Sequence, residues 1–240
     1  MKIEILIQCH NFQRRLCWML SSLFNQDCVA TLVPQVATLA GNGDPNTESI
    51  IQMFNSINFR VKHLIIDDVD KFAYRGCVRN KQVTALDEDT DWVLFTDSDM
   101  VYESGFFREL EFLLNTLPSE SKIYSVGRFS SDVDQTNKLV DDYCYPCYFP
   151  ETDMIKQLCN IPRRNCGAGY FQLVRKSDLA GYYIAGRAKD KHLFKDGQKA
   201  RSDIQFRKRF GLVKFNMTNS QWHLNHVRDN ELGQHTEVQR

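Results

Sequence analysis

Apolar residues fall into short runs over the first ninety-nine positions, and the runs alternate between two spacings. Lys2 to Gln8 is a compact β-rich stretch, and Gln13 to Asn25 then carries Leu16, Leu20, Leu23 and Phe24 at helical intervals. Val29 to Leu39 reads as a second strand. It runs into Gly41-Asn42-Gly43-Asp44-Pro45, a loop that opens a helix bearing Ile50, Ile51 and Phe54. Val61 to Ile66 is a third strand, Val78 to Leu86 a third helix and Trp92 to Thr96 a fourth strand. A βαβαβαβ rhythm of this kind predicts a mostly parallel sheet with helices on both faces.

Beyond Asp99 the rhythm changes. A helix over Gly105 to Leu117 and a strand over Lys122 to Val126 lead into Ser130 to Asn165, an irregular stretch punctuated by Pro146, Pro150 and Pro162. That is long for a structureless connection, so short elements or a functional loop are expected within it. The chain shows no repeat, low-complexity tract or linker-like composition shift, and a single α/β domain over residues 1–240 is the expectation.

Composition narrows the classes. Of 240 residues, 42% are hydrophobic and 25% charged, which excludes a disordered or fibrous chain. No run approaches the roughly 20 apolar residues of a membrane-spanning helix, and Glu4 interrupts the place where an export signal needs an apolar core. A cytoplasmic protein is expected. Eight cysteines in a chain able to bury a sizeable core point to free thiols or metal ligands before disulfides. Cys144, Cys147, Cys159 and Cys166 follow the pattern C-x2-C-x11-C-x6-C; the first half has zinc-knuckle spacing and the second matches no common ribbon, leaving structural Zn²⁺, free thiols and a disulfide open.

The formal net charge is zero, yet it is unevenly divided. Residues 1–159 carry 14 Lys and Arg against 23 Asp and Glu, a balance of −9, whereas 160–240 carry 16 against 7, a balance of +9. From Arg163 to Lys214 the count is 14 basic to 4 acidic. Either this is a solvated lysine- and arginine-rich face, or it meets an anionic partner such as nucleic acid, an anionic glycan or a phospholipid-linked molecule.

The candidate chemistry lies in Phe95-Thr96-Asp97-Ser98-Asp99-Met100. Two carboxylates, two residues apart, follow an apolar strand, so both can project beyond its carboxyl end, where open α/β sheets bind ligands. Hard oxygen donors there suit Mg²⁺ or Mn²⁺.

The surrounding order is more specific. A strand, then Asn11 with Arg14 and Arg15 opening a helix, a second strand ending near Asp44, and Arg79-Asn80 on a helix before Asp97-Ser98-Asp99 resemble the nucleotide-sugar half of a GT-A glycosyltransferase of the family 2 type. Gly167-Ala168-Gly169-Tyr170-Phe171 with Arg175 resembles that family's glycine loop under the sugar and acceptor. Ser202-Asp203, followed by Ile204 to Gly211, resembles its Glu-Asp motif and next helix, with Ser202 where the family usually has Glu. His226-Val227-Arg228-Asp229 resembles the metal-binding tail of related galactosyltransferases.

The resemblance implies a GT-A fold, with residues 1–99 as the nucleotide-binding half and 100–240 as the acceptor-binding half. It implies a metal-dependent, inverting transfer from a UDP-sugar to a hydroxyl acceptor, with a polyanion such as hydroxylated DNA compatible with the basic third. Asp203 is then the general base. Asn11, Asp44, Arg79, Asp97, Gly167 and Gly169 contact the donor, and Asp97, Asp99 and His226 hold the ion, with His223 the alternate. Each also has a plain reading: Asp203 as a helix N-terminal charge, Asp44 and the glycines as turn residues, Arg79 as a helix-surface arginine, the histidines as structural groups. Other classes consistent with parts of the pattern are a nucleotidyltransferase, although Gln8-Cys9-His10-Asn11 lacks its glycine-rich basic loop, and a non-catalytic nucleic-acid- or glycan-binding protein.

Overall fold

The computed structural model describes residues 1–40, 45–68, 72, 75–116, 122–130, 132–143, 155, 161–163, 170–179, 206 and 210–224. The first half alternates as the periodicity predicts: β1 (Lys2–Gln8), α1 (Gln13–Phe24), β2 (Thr31–Leu39), α2 (Pro45–Ser56), β3 (Lys62–Ile66), α3 (Arg75–Thr84) and β4 (Trp92–Asp97). Then come β5 (Met100–Tyr102), α4 (Phe106–Asn115), β6 (Lys122–Val126), β7 (Arg128–Ser130), α5 (Val133–Tyr143), β8 (Ile161–Arg163), β9 (Phe171–Arg175), β10 (Gly211–Phe215) and β11 (Gln221–His223).

Seven strands form one sheet in the order β10-β6-β9-β4-β1-β2-β3. Only β9 runs antiparallel, to β4 and to β6; the remaining pairs are parallel. β5, β11, β7 and β8 make a second, smaller sheet. Strand parity explains the two-sided packing. Ile3, Ile5 and Ile7 of β1 and Leu94 of β4 join Leu16, Leu20, Phe54 and Phe106 in one core, while Leu6, Val93 and Phe95 pack with Phe206 and Val83 on the other face. β1 is thus buried on both sides, which is why it reads as a nearly unbroken apolar run.

The short elements expected between Ser130 and Asn165 are present, since Val133–Tyr143 is helical and Ile161–Arg163 pairs with β7. Leu139 and Val140, buried on the helix, supply an apolar contact too brief to announce a helix in the sequence. The third helix spans Arg75–Thr84, ahead of its predicted start at Val78, because its first turn is polar and faces the end of β4.

The amino ends of the strands are locked by charge. Glu4 is fully buried, accepting from Lys62 Nζ at 2.9 Å, the Asp87 backbone N–H at 2.6 Å and the Thr90 hydroxyl at 2.5 Å. Asp87 in turn faces Lys2 at 2.7 Å, Lys62 at 3.1 Å and Arg60 at 3.0 Å. Through this lock the α3–β4 connection is tied to β1 and β3, leaving the opposite, carboxyl ends of the strands for the candidate site.

Candidate functional site at the carboxyl end of the sheet

β1 and β4 are neighbours, and Gln8 pairs in register with Asp97. The chain leaves β1 through Asn11, whose φ of 55° lies in the left-handed region that Asn tolerates better than most residues. This turn delivers α1 beside the Asp97–Asp99 turn. Asn11 Nδ2 lies 3.4 Å from His10 Nε2, and His10 meets Phe72 edge to face.

Asp97 ends β4 with its side chain 26% exposed. Two guanidiniums from successive turns of α3 face its Oδ1: Arg75 at 3.1 Å and Arg79 at 4.0 Å. Arg79 is no helix-surface arginine. It is 2% exposed, lies over the Phe95 ring at 5.3 Å and donates to Gln172 Oε1 at 3.5 Å.

Asp99 is 4% exposed and belongs to the turn between β4 and β5. β11 pairs antiparallel with β5, opposing His223 to Met100, and this register puts His223 Nε2 3.1 Å from Asp99 Oδ2. The Leu224 N–H donates to the Asp99 carbonyl at 2.8 Å, and the Leu224 carbonyl accepts from Arg15 Nε at 3.3 Å. Arg15, buried on α1, also donates to Asn137 of α5 at 2.7 Å. One arginine near the start of the chain therefore fixes the tail strand against the Asp-Ser-Asp turn.

The floor of the site is a short relay. The Thr96 hydroxyl donates to the Tyr170 carbonyl at 2.8 Å; its single proton being used there, it accepts from the Tyr102 hydroxyl at 2.9 Å. Burial pushes the Tyr102 phenol well above its ordinary range, so it stays a donor. Tyr170 is next in the chain after Gly169, and Arg128 covers its ring at 4.1 Å.

Of the predicted residues, Asp97, Asp99, His223, Arg79 and Asn11 are thus gathered at the carboxyl ends of β1 and β4. Asp44, Gly167, Gly169, Asp203, His226 and the cysteines 144, 147, 159 and 166 lie outside the described residues. Phe206, three positions beyond Asp203, is fully buried and meets Phe95 edge to face at 5.4 Å. Cys9 and Cys17 are buried, and Cys28 and Cys77 are half-buried. The sequence reading missed Arg75 and Gln172. Arg75 precedes Arg79 by one helical turn, and Gln172 is a polar residue inside the apolar run Phe171 to Val174; both were signals.

The donor set at Asp99 and His223, a carboxylate beside an imidazole, fits Mn²⁺ better than Mg²⁺, which prefers oxygen ligands throughout. Among the described residues no three His, Cys, Asp or Glu side chains gather as a cage, since Asp97 is turned toward Arg75.

The chain is an α/β protein with a mostly parallel sheet and an Asp-Ser-Asp turn at the carboxyl end of β4, where open sheets of this kind take their ligands. No protein-family model matches the chain, and neither does any curated protein by sequence. Solved structures do resemble it. S. aureus TarS 1-349 superposes with a TM-score of 0.59 at 12% identity over 93% of this chain, and the same protein in complex with UDP with 0.60 at 13% over 92%. This chain spans 60% of the length of either. An active-site mutant of LgtC gives a TM-score of 0.50 at 14% identity, covering 90% of this chain and 73% of its own. The chain has the GT-A glycosyltransferase fold.

Proposed function

We propose that the protein is a glycosyltransferase that takes a UDP-sugar as donor and passes the sugar to a hydroxyl acceptor. One observation carries the reading: the β11 register places His223 on Asp99 at the carboxyl end of β4, so a tail histidine and an Asp-x-Asp turn share one site in a GT-A sheet. The UDP bound by the TarS structure supports uridine as the donor nucleoside.

Residues 1–99 bind the nucleotide and 100–240 the acceptor, as one unit. Asp99 with His223 or His226, and Asp97 as a further ligand, would hold a divalent ion, Mn²⁺ or Mg²⁺, which when bound offsets charge on the leaving diphosphate. Asn11, Asp44 and Arg79 line the nucleoside side, and Gly167 and Gly169 let the backbone approach the sugar where a Cβ would intrude. Asp203 takes the proton of the attacking hydroxyl in an inverting displacement. The buried contact of Phe206 with Phe95 supports this role, because it anchors the chain three residues past Asp203 beneath the strand that ends in Asp97. The basic third suits a polyanionic acceptor, nucleic acid included. A chain able to bury a sizeable core without disulfides suits a reducing cytoplasm, and among the described residues no helix is long and apolar enough to cross a membrane.

Incubation with a panel of nucleotide sugars, first alone and then with hydroxyl acceptors, should release UDP and add a hexose mass to one acceptor. A protein that binds UDP yet neither hydrolyses nor transfers any donor is a binding protein and not an enzyme.

A further inference from the structure

The two guanidiniums that face Asp97 are not equivalent. Arg79 is buried and held by the Phe95 ring and Gln172, so it stays where it is. Arg75 sits closer to the same oxygen, at 3.1 Å against 4.0 Å, yet its side chain is 35% exposed. An ion pair open to water holds an arginine weakly, and the long side chain changes rotamer at small cost.

We propose that Arg75 is the donor-sensing residue of the site. In the donor-free protein its guanidinium occupies Asp97; when a nucleoside diphosphate binds, it turns to the phosphate oxygens and releases Asp97 to the ribose or to the divalent ion. This rests on the donor reading above and adds a residue and an order of events. A planar guanidinium fork recognises phosphate oxygens in pairs, and the pair stands where open α/β sheets take their ligands. Release does not leave Asp97 isolated, because the fixed charge of Arg79 remains 4.0 Å away.

The arrangement couples the two ligands. While Arg75 is on Asp97, a cation approaching that carboxylate meets a like charge. A diphosphate that draws Arg75 away removes the repulsion, so donor and ion bind with positive cooperativity, and each strengthens the other by the same factor.

Calorimetry on the full chain tests this with four probes: Mn²⁺ alone, and UDP, pyrophosphate and uridine, each in EDTA. Arg75→Gln should weaken UDP and pyrophosphate by roughly 10- to 100-fold, the scale of a charge-assisted hydrogen bond, leave uridine unchanged, and tighten Mn²⁺ alone. Arg75→Lys, which keeps the charge without the fork, should retain part of the diphosphate affinity. If Arg75→Gln does not fold by circular dichroism, the lysine variant decides alone, with diphosphate loss and intact uridine binding as the expected pair. Wild-type UDP affinity in the variant, weaker Mn²⁺ binding, or a loss for uridine equal to that for UDP overturns the assignment while the donor reading stands. A wild-type protein that binds neither UDP nor pyrophosphate, in EDTA or with Mn²⁺ present, overturns the donor reading and this one with it.

Discussion

Asp97 and Asp99 are two residues apart and chemically identical, yet their surroundings divide them. Asp97 faces two arginines and remains a quarter exposed, whereas Asp99 is nearly buried with an imidazole 3.1 Å away. Under the proposed function, the ion-binding role therefore falls more heavily on Asp99. Asp99→Ala should abolish any difference in UDP affinity between Mn²⁺ and EDTA, and His223→Ala should reduce it further than His226→Ala does. A larger effect at His226 would assign the ligand to the other tail histidine. Asp203 is tested separately. Asp203→Asn keeps the shape and removes the proton-accepting charge, so UDP-sugar affinity should hold while turnover falls by about 10²- to 10⁴-fold, as expected for a lost general base. Near-normal turnover by the folded variant rules the role out. Asp97 and Asp99 were legible as candidates because two carboxylates spaced after an apolar strand are informative, whereas Arg79 entered only through the resemblance. Which of them pairs with which was not legible, since Arg75, Gln172 and His223 arrive from three different elements.

At the scale of elements, the sheet has a locked pole and a working pole. The lock around Glu4 and Asp87 joins β1, β3 and the α3–β4 connection. The hydrogen bond from Lys2, followed by those from Lys62, holds the Asp87 carboxyl far below the usual carboxylate range, against the opposing effect of burial. A carboxyl whose folded-state pKa is depressed adds stability above its unfolded pKa of about 3.9 and loses that contribution as pH falls below it. Urea midpoints of the wild type should therefore drop between about pH 5 and pH 2, and Asp87→Asn, less stable at pH 7, should lose less over that window. Parallel curves would show that the lock carries no linkage. The working pole depends on Arg15, which reaches from α1 to the tail at Leu224 and to α5 at Asn137. Periodicity located α1 within a residue at its end, but it placed no helix at α5, because that helix buries only a narrow apolar edge.

For the whole molecule, the charge division is a property of composition that a salt titration can read. If the acceptor is a polyanion, log affinity should fall steeply with log salt, by about 0.9 for each duplex-DNA phosphate contacted. Reversing Arg207, Lys208 and Arg209 to Glu should flatten that slope while UDP affinity barely changes; acceptor binding with no salt dependence would make the basic third a solvated surface. Length, composition and the alternation of spacings were enough for the sequence by itself to determine a mostly parallel α/β sheet, because burial on two faces leaves a period in the chain that local chemistry cannot disguise; the GT-A kind came from the resemblance of its motif order. Only the tertiary structure decided the small sheet, whose strands of three residues are too short to carry a period, and the antiparallel entry of β9. It alone turned Arg79 inward and set His223 on Asp99, since contacts between residues 124 positions apart depend on strand register and on how the sheet's two faces are filled, and neither is written in any local window.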